Sequence, residues 1–268
     1  MSVSVFMQGC VLRIAATLAL PLLACGASSV PLAPSPGPAH VPAPTSMGGN
    51  SSVCFDPSFH STGTRWVERR TVTQNGTFYQ SLELDHEVLG PAVFNGNEAV
   101  AVRQVLRFTA GAGAGVWSDH RFYARYDGVA YRTFGNEGSS RTTAGRIISS
   151  RTTYVPSTLL MVAVSPGRSF SHTYTNTYTQ TAPLPAPAAR VVSVTVTQTF
   201  LGFETVRVPA GTFVDACKFL ASTSFDGGPT TEANIWRARG SEVQLRRVAK
   251  QTVTVMDSAT RNGTPITP

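Results

Sequence analysis

Two histidines stand beside acidic residues, and each pair has the residue types for hydrolytic chemistry. His86-Glu87 begins like the zinc-protease pattern H-E-x-x-H, but position 90 is Gly, so the second histidine is missing. That pattern also needs a helix, whereas the surrounding residues alternate like a strand. Asp119-His120 has two members of a Ser-His-Asp triad, yet neighbouring residues of a strand point to opposite faces of a sheet. Neither pair predicts an active site by itself.

The other candidate residues add no recognisable catalytic motif. His40, His60 and His172 show no metal-ligand spacing with each other or with the two histidines above. The glycine-rich stretch 111–115 lacks the frame of a nucleotide-binding loop, and no G-x-S-x-G motif occurs. We therefore predict that the protein is not an enzyme and binds neither a cofactor nor a metal. The alternative is a hydrolase whose nucleophile, base and orienting acid come from distant strands, with His120 or His172 near a serine and a carboxylate.

The N-terminal residues have the layout of an export signal. Arg13 precedes a mostly apolar stretch of eleven residues that ends at Ala24. This stretch is too short to span a bilayer, which needs ~20 apolar residues. The run Leu22-Leu23-Ala24-Cys25 resembles the lipobox of bacterial lipoproteins, in which the cysteine is acylated and becomes the first mature residue. Met7 is an alternative start that would leave a compact signal.

The lipobox resemblance implies a cellular location. Lipidation at Cys25, including palmitate, would hold the protein to a membrane. The next residue is Gly26 rather than the Asp that marks inner-membrane retention in that family. The resemblance therefore implies an outer-membrane lipoprotein that faces the periplasm or the cell surface.

Two further cysteines are candidates for a disulfide. Cys10 lies in the predicted signal, so Cys54 and Cys217 remain besides the lipidated cysteine. An even number of cysteines in an oxidising compartment favours a bond between them. Closing so long a loop would stabilise the fold by about 4–5 kcal/mol if the effect is that of chain entropy. Two separate buried thiols are the alternative.

A distinctive internal motif, V-P-A-G-T-F, predicts a tight turn between two strands. Pro209 ends the first pairing because it has no N–H donor, and Gly211 supplies a permissive backbone. The motif resembles the V-x-V-P-A-G-T-F signature of exported bacterial β proteins grouped as a domain of unknown function. That resemblance covers roughly residues 60–256 and implies an open, strongly twisted antiparallel sheet without an assigned activity. The residues of this structural turn motif are Val208, Pro209, Ala210, Gly211, Thr212 and Phe213.

The charge distribution gives no nucleic-acid signature. The chain has 22 Lys and Arg against 15 Asp and Glu, a net charge of +7. The arginines are scattered, with adjacent pairs only at Arg69-Arg70 and Arg246-Arg247. Because nucleic-acid sites cluster their cations, we predict no nucleic-acid partner.

Most of the mature chain has the two-residue period of β-strands. Phe78, Leu82 and Leu84 share one predicted face, and Asn75-Gly76 before them is a strong hairpin signal. In residues 173–181 threonine occupies every second position. No convincing helix of ~10 residues interrupts the pattern. We therefore predict an all-β domain: a single strongly twisted antiparallel sheet of about 10–12 strands. An open half-barrel, a closed barrel and a sandwich all fit the pattern.

The chain divides into four predicted segments. They are a lipoprotein signal peptide (1–24), a flexible tether rich in Pro, Ser and Gly (25–52), the β domain (53–257) and a disordered tail (258–268). A curled sheet encloses a groove that would bind a lipid, a glycan or an envelope protein, and a filled core is the alternative. We predict a non-catalytic binding lipoprotein of the envelope. The alternatives are the hydrolase and a structural component of an envelope assembly.

Overall fold

A computed structural model describes residues 49–268 and, in the N-terminal part of the chain, the short strands β1 (Ser4–Met7) and β2 (Cys10–Arg13). These two strands pair antiparallel with each other. Cys25, His40 and the remainder of the predicted signal peptide and tether up to residue 48 lie outside the described residues.

Residues 65–261 form a closed antiparallel β-barrel of 12 strands. Each strand pairs with the next in sequence, and the last strand, β14, pairs with both β13 and β3. A short β15 (Thr264–Pro265) adds to β14. The barrel strands are β3 (Arg65–Gln74), β4 (Thr77–Phe94), β5 (Asn97–Gly111), β6 (Trp117–Tyr126), β7 (Ala130–Arg141), β8 (Ile147–Met161), β9 (Ser169–Ala182), β10 (Arg190–Val208), β11 (Gly211–Phe225), β12 (Thr231–Arg237), β13 (Gln244–Ala249) and β14 (Thr252–Arg261).

This architecture confirms the predicted all-β fold and strand number, and it shows the closed form among the alternatives. Closure pairs both edges of the sheet, which removes exposed backbone donors and acceptors. The β3–β4 hairpin turns at Asn75 and Gly76, whose φ angles of 53° and 75° suit this tight turn.

One bulge changes the predicted face of β4. Val72 pairs with Gln80, whereas the next residue of β3 pairs with Phe78, so one residue of β4 is left over. On the hairpin side of this bulge, side chains of β4 point to the face opposite to the one that the alternation predicts. Leu82 and Leu84 are buried as predicted, but Phe78 is 52% exposed and Gln80 is buried instead.

A segment before β3, residues 49–64, lies across one end of the barrel; we call it the plug segment. It contains two 3-10 helices, η1 (Ser51–Cys54) and η2 (Pro57–His60). The side chains of Asn50 and Asp56 accept hydrogen bonds from the backbone N–H groups that begin these helices.

The rings of the plug segment contact strands on all sides of the barrel. Phe55 packs on Phe219 of β11 and Tyr131 of β7, with ring centroids 6.3 and 6.2 Å apart. Phe59 packs on Trp66 of β3 at 5.4 Å. These three strands lie four positions apart around the ring of twelve. The plug segment therefore spans the barrel's interior at this end, and the faces that contact it point inward.

Ser51 shows that the predicted tether ends too late. Its side chain is fully buried, and its Oγ donates to the carbonyl of Val162 at 2.5 Å. The same Oγ accepts from the N–H of Val164 at 2.8 Å. Both ends of the hydroxyl are used, so Ser51 belongs to the folded domain. The polar sequence around it hides this, because the contact comes from residues more than a hundred positions away.

A disulfide joins Cys54 of η1 to Cys217 of β11. Their Cα atoms lie 6.1 Å apart, and both side chains are fully buried. The bond fastens the plug segment covalently to the barrel wall.

The predicted disordered tail is wrong at its beginning. β14 continues to Arg261, which pairs with Trp66 of β3, and Ala259 within it is buried. The N–H of Ile266 then donates to the carbonyl of Ala259. The pattern of residues 258–262 is too short and polar to indicate a strand, and β3 supplies the hydrogen-bonding partner that keeps it extended.

Candidate functional site

A row of polar side chains crosses the inner wall of the barrel. Trp66 faces inward because it packs on the plug segment, and residues directly opposite it on successive strands share its face. This row runs from Trp66 through His86 and Gln104 to His120. An eight-stranded barrel is already wide enough for side chains to fill, so twelve strands enclose a wider interior. Burial of polar groups is unfavourable unless they are hydrogen-bonded, so a purely structural interior would be apolar here. We therefore take this wall as the candidate site.

His120 lies between two polar side chains of the neighbouring strand. Its Nδ1 is 3.1 Å from Oδ1 of Asn136, and its Nε2 is 3.0 Å from Oγ of Ser140. Asn136 and Ser140 flank Gly138, the residue directly opposite His120. A serine, a histidine and an amide thus stand in one hydrogen-bonded line on the inner wall.

The hydrogen bonds of Asn136 determine which nitrogen of His120 carries the proton. The Nδ2 of Asn136 donates to the Tyr154 hydroxyl at 3.1 Å, so its Oδ1 faces the imidazole as an acceptor. The Nδ1 of His120 therefore carries hydrogen, and its Nε2 accepts from the Ser140 hydroxyl. Burial lowers the pKa of His120, so the ring is neutral at pH 7. This is the tautomer of a general base beside a nucleophile.

Gly138 makes the arrangement sterically possible. A Cβ at this position would lie 2.1 Å from the carbonyl oxygen of Asp119 and 2.9 Å from Cγ of His120. Any other residue would collide with the backbone of β6 and with the imidazole. The glycine lets the ring lie across β7 and reach both flanking side chains.

A second buried histidine lies in the same row. His86 stacks on Trp66 with ring centroids 4.4 Å apart, and the Nε2 of Gln104 lies 3.2 Å from its Nδ1. The Oε1 of Glu68 lies 4.0 Å from Nε2 of His86. The Nε of Arg70 donates to the other oxygen of this carboxylate at 3.0 Å. Burial lowers the pKa of His86 to about 4, and the Glu68 carboxylate only partly opposes that effect.

The plug segment and the turn between β12 and β13 form a second polar cluster. His60 Nε2 lies 3.3 Å from a carboxylate oxygen of Glu242, and its ring packs on Tyr131 with centroids 4.3 Å apart. Glu242 has a φ of 57°, uncommon for a residue with a side chain. Burial and the Glu242 carboxylate raise the pKa of Tyr131 above its ordinary value.

Arg237 links this cluster to the aromatic contacts of the plug segment. Its guanidinium donates to the backbone carbonyl of Glu242 at 3.2 Å and lies over the rings of Phe55 and Phe219. Burial lowers its pKa to about 10. The contacts fasten the plug segment to the barrel wall and do not resemble a catalytic array.

Asp119 lies on the outer wall and cannot orient His120. Its carboxylate forms an ion pair with Arg103 at 2.5 Å, and Arg65 and Asp85 form a similar outer pair at 2.7 Å. These carboxylates have lowered pKa values, chiefly through hydrogen bonds from their arginines. The sequence-based expectation that Asp119 and His120 point to opposite faces agrees with this placement.

The V-P-A-G-T-F residues form the turn from β10 to β11. Val208 pairs with Gly211, and Ala210 donates its N–H to the carbonyl of Met256. A Cβ on Gly211 would lie 2.6 Å from Pro268, so the glycine permits close approach of the C-terminus. Phe213 is buried in a cluster with residues of β12 to β14. These residues position backbone and core, and none faces the His120 array.

Asn136 and Ser140 are the site residues that the sequence does not reveal. They alternate around Gly138 in a polar stretch that looks like an ordinary solvent-facing strand. Placing them beside His120 requires the register of β6 and β7, which shifts at Tyr123 and Ala124. His172 instead bonds through Nε2 to the carbonyl of Ser157 at 2.8 Å.

The described residues, 4–7, 10–13 and 49–268, contain neither a candidate metal site nor a candidate membrane-spanning helix. No group of three or more His, Cys, Asp and Glu side chains there is arranged to hold a metal ion. No helix within these residues has the length and apolar character needed to cross a membrane.

Comparison with known proteins assigns no family. No protein-family model matches the chain, and no curated protein does. One similar solved structure, from Bacteroides fragilis, is named as an exported protein with a YmcC-like fold; it shares 13% identity at a TM-score of 0.41, over 80% of this chain and 100% of that one. Another, from Parabacteroides distasonis, is named as a lipoprotein and shares 14% identity at 0.43, over 77% and 98% of the two chains. The closed barrel rests on this chain's own strand pairing, and the resemblance based on V-P-A-G-T-F stays a prediction.

Proposed function

We propose that this protein is a lipid-anchored lipoprotein of the bacterial envelope whose barrel binds a glycan. The anchor is Cys25, supported by the lipobox resemblance and by the short apolar stretch before it. The binding site is the inner wall. The observation that carries the proposal is the row of polar side chains that this wall presents where a purely structural core would be apolar.

The chemistry of the inner wall favours a glycan over an acyl chain. Hydroxyls, amides and imidazoles offer donors and acceptors that match the hydroxyl groups of a sugar. Aromatic rings lie beside them: Tyr154 packs edge-on against Tyr174 at 5.5 Å, and His172 stacks on Tyr174 at 6.0 Å. An acyl chain has no donors or acceptors for their remaining hydrogen-bonding capacity, so replacing water with it on this wall is unfavourable.

We propose attachment to the outer membrane and membership of an exported protein family as well. Gly26 after the lipidated cysteine supports the outer membrane as the site of attachment. The turn motif Val208–Phe213 supports membership of the exported family of unknown function that the sequence resembles. Each of these rests on residues whose role is read from the sequence.

Binding can be tested with defined probes. Cellotetraose, chitotetraose and a muramyl disaccharide are titrated into the purified protein by calorimetry, with dodecanoate as the lipid probe. We expect one of the saccharides to bind. Tyr174→Ala should weaken that binding by about tenfold, because truncation of a buried aromatic side chain in a binding site typically costs more than about 1 kcal/mol of binding free energy.

The matched control is Thr175→Ala, which alters the adjacent residue on the opposite face of β9. It should leave saccharide binding unchanged. Binding of dodecanoate without any saccharide, or equal losses in the two variants, would contradict a glycan site on the inner wall.

A further inference from the structure

We infer that Ser140, His120 and Asn136 form a nucleophilic site that hydrolyses carboxylic esters inside the barrel. This activity goes beyond ligand binding. It rests on the hydrogen-bonded line described above, in which Nε2 of His120 lies 3.0 Å from Oγ of Ser140 and its Nδ1 lies 3.1 Å from Oδ1 of Asn136. Both distances are within the range expected for a nucleophile, its base and the group that orients the base.

The roles follow from the direction of each hydrogen bond. Ser140 donates to Nε2 of His120 and is the nucleophile, while His120 is the general base. Asn136 accepts from Nδ1 and is a positioning residue, as the amide is in Cys-His-Asn sites. Tyr154 holds the Asn136 amide by accepting from its Nδ2. A neutral orienting group stabilises the imidazolium less than a carboxylate would, so we expect slow turnover.

The reaction balances without a cofactor. Oγ of Ser140 attacks the ester carbonyl carbon while its proton moves to Nε2 of His120, giving a tetrahedral oxyanion. The carbon–oxygen bond to the alcohol then breaks, and the alcohol takes the proton from His120. Water, deprotonated by His120, attacks the acyl-serine; the carboxylic acid leaves, and the proton returns to Oγ. The net reaction is ester plus water to acid plus alcohol.

The neighbours of Ser140 suit a small acyl group. Ser118 is directly opposite Ser140 on the same inward face, so its hydroxyl can donate to the oxyanion. Gly138, two residues away, adds no side chain. The substrate class we assign is a short-chain acyl ester of a saccharide hydroxyl; the saccharide part of this assignment rests on the proposed function.

A merely structural network would use the same hydrogen bonds, so the test must measure reactivity. The purified full chain is treated with a fluorophosphonate probe, which labels activated serines, and the labelled peptide is identified by mass spectrometry. Hydrolysis of 4-nitrophenyl acetate is measured in parallel. We expect the label on Ser140 and saturable hydrolysis.

The matched control is the adjacent serine on the outer wall. Ser139 also has a hydroxyl hydrogen-bonded within the sheet, to Ser149 at 2.9 Å. Ser140→Ala should abolish labelling, whereas Ser139→Ala should retain it. His120→Gln should lower kcat/KM by about 100-fold or more, the usual contribution of a general base. Circular dichroism and thermal unfolding check that each variant folds.

Asn136→Asp separates positioning from packing. A carboxylate beside Nδ1 favours the imidazolium, so it should raise the pKa of His120 and move the acidic limb of the kcat/KM profile to higher pH. A network that only packs the sheet would show no such shift.

The two proposals fail separately. Absence of labelling in the wild type, or hydrolysis unchanged by Ser140→Ala, overturns the esterase, and saccharide binding would still stand. Labelling at Ser140 with no binding of saccharide by calorimetry supports the esterase and overturns its saccharide substrate.

Discussion

Asp119 and His120 are neighbours in the chain but lie on opposite sides of the barrel wall. Alternation along β6 sends Asp119 outward to Arg103 and His120 inward to Asn136 and Ser140. The acid next to the histidine therefore cannot hydrogen-bond to it, and an amide from the next strand does so instead. What matters for His120 is the register of β7, which no local pattern specifies.

A buried histidine on the same wall should make stability depend on pH. The unfolded chain protonates His86 near pH 6.5, whereas the folded protein resists protonation until about pH 4. Below pH 6.5 the unfolded state therefore binds more protons, and the free energy of unfolding falls as pH falls. The full effect is about 3 kcal/mol near pH 4. Urea unfolding at pH 7, 5.5 and 4 measures it.

His86→Gln removes the titrating group but keeps a polar side chain opposite Gln104. We expect its stability to decline less over the same pH range, by up to about 3 kcal/mol. Parallel pH curves for the two proteins would show that His86 does not carry the dependence.

The plug segment is the element that closes one end of the barrel. Its rings contact β3, β7 and β11, and three polar links add to them: Ser51 to the chain after β8, His60 to Glu242, and Asp56 to Arg261 at 2.9 Å. Because these partners surround it, the segment ties distant strands together. The Cys54–Cys217 disulfide adds a covalent link to these contacts of the described segment.

Loss of the disulfide should destabilise the barrel and loosen the plug segment. The bond closes a loop with a sequence separation of 163 residues, for which the chain-entropy treatment gives about 5 kcal/mol. We expect Cys54→Ser with Cys217→Ser to lose most of this in urea unfolding. Amide exchange should rise first in residues 51–64.

Dithiothreitol added to the wild type should reproduce the effect of the double variant. A loss below about 1 kcal/mol would mean that strain in the native bond offsets the loop entropy.

The whole molecule combines a closed barrel with a predicted lipid anchor. The C-terminal strand β14 joins β13 to β3, so the barrel closes only when both ends of the domain are present. The predicted anchor, Cys25, precedes the plug segment in the chain.

The anchor can be tested by fractionation of a Gram-negative host that expresses the full chain. Cys25→Ser should move the protein from the membrane fraction to the soluble fraction and abolish incorporation of labelled palmitate. Cys10→Ser lies within the predicted signal and is the matched control, which should remain in the membrane fraction. Equal fractionation of both variants would rule out lipidation at Cys25.

Much of the fold follows from local sequence. Asn75-Gly76 predicts its hairpin because both residues tolerate positive φ, and alternation identifies the strand that buries Leu82 and Leu84. Phe78 is misplaced because a bulge shifts the alternation. Residues 258–261 are missed because their strand depends on pairing with β3.

The sequence by itself determined the all-β class, the approximate number of strands and the separation of Asp119 from His120, because each depends on the two-residue period. Tertiary structure alone decided that the sheet closes, that the plug segment enters it, and that Asn136 and Ser140 meet His120. Those features depend on register and on contacts between residues far apart in the chain, which a local pattern does not encode.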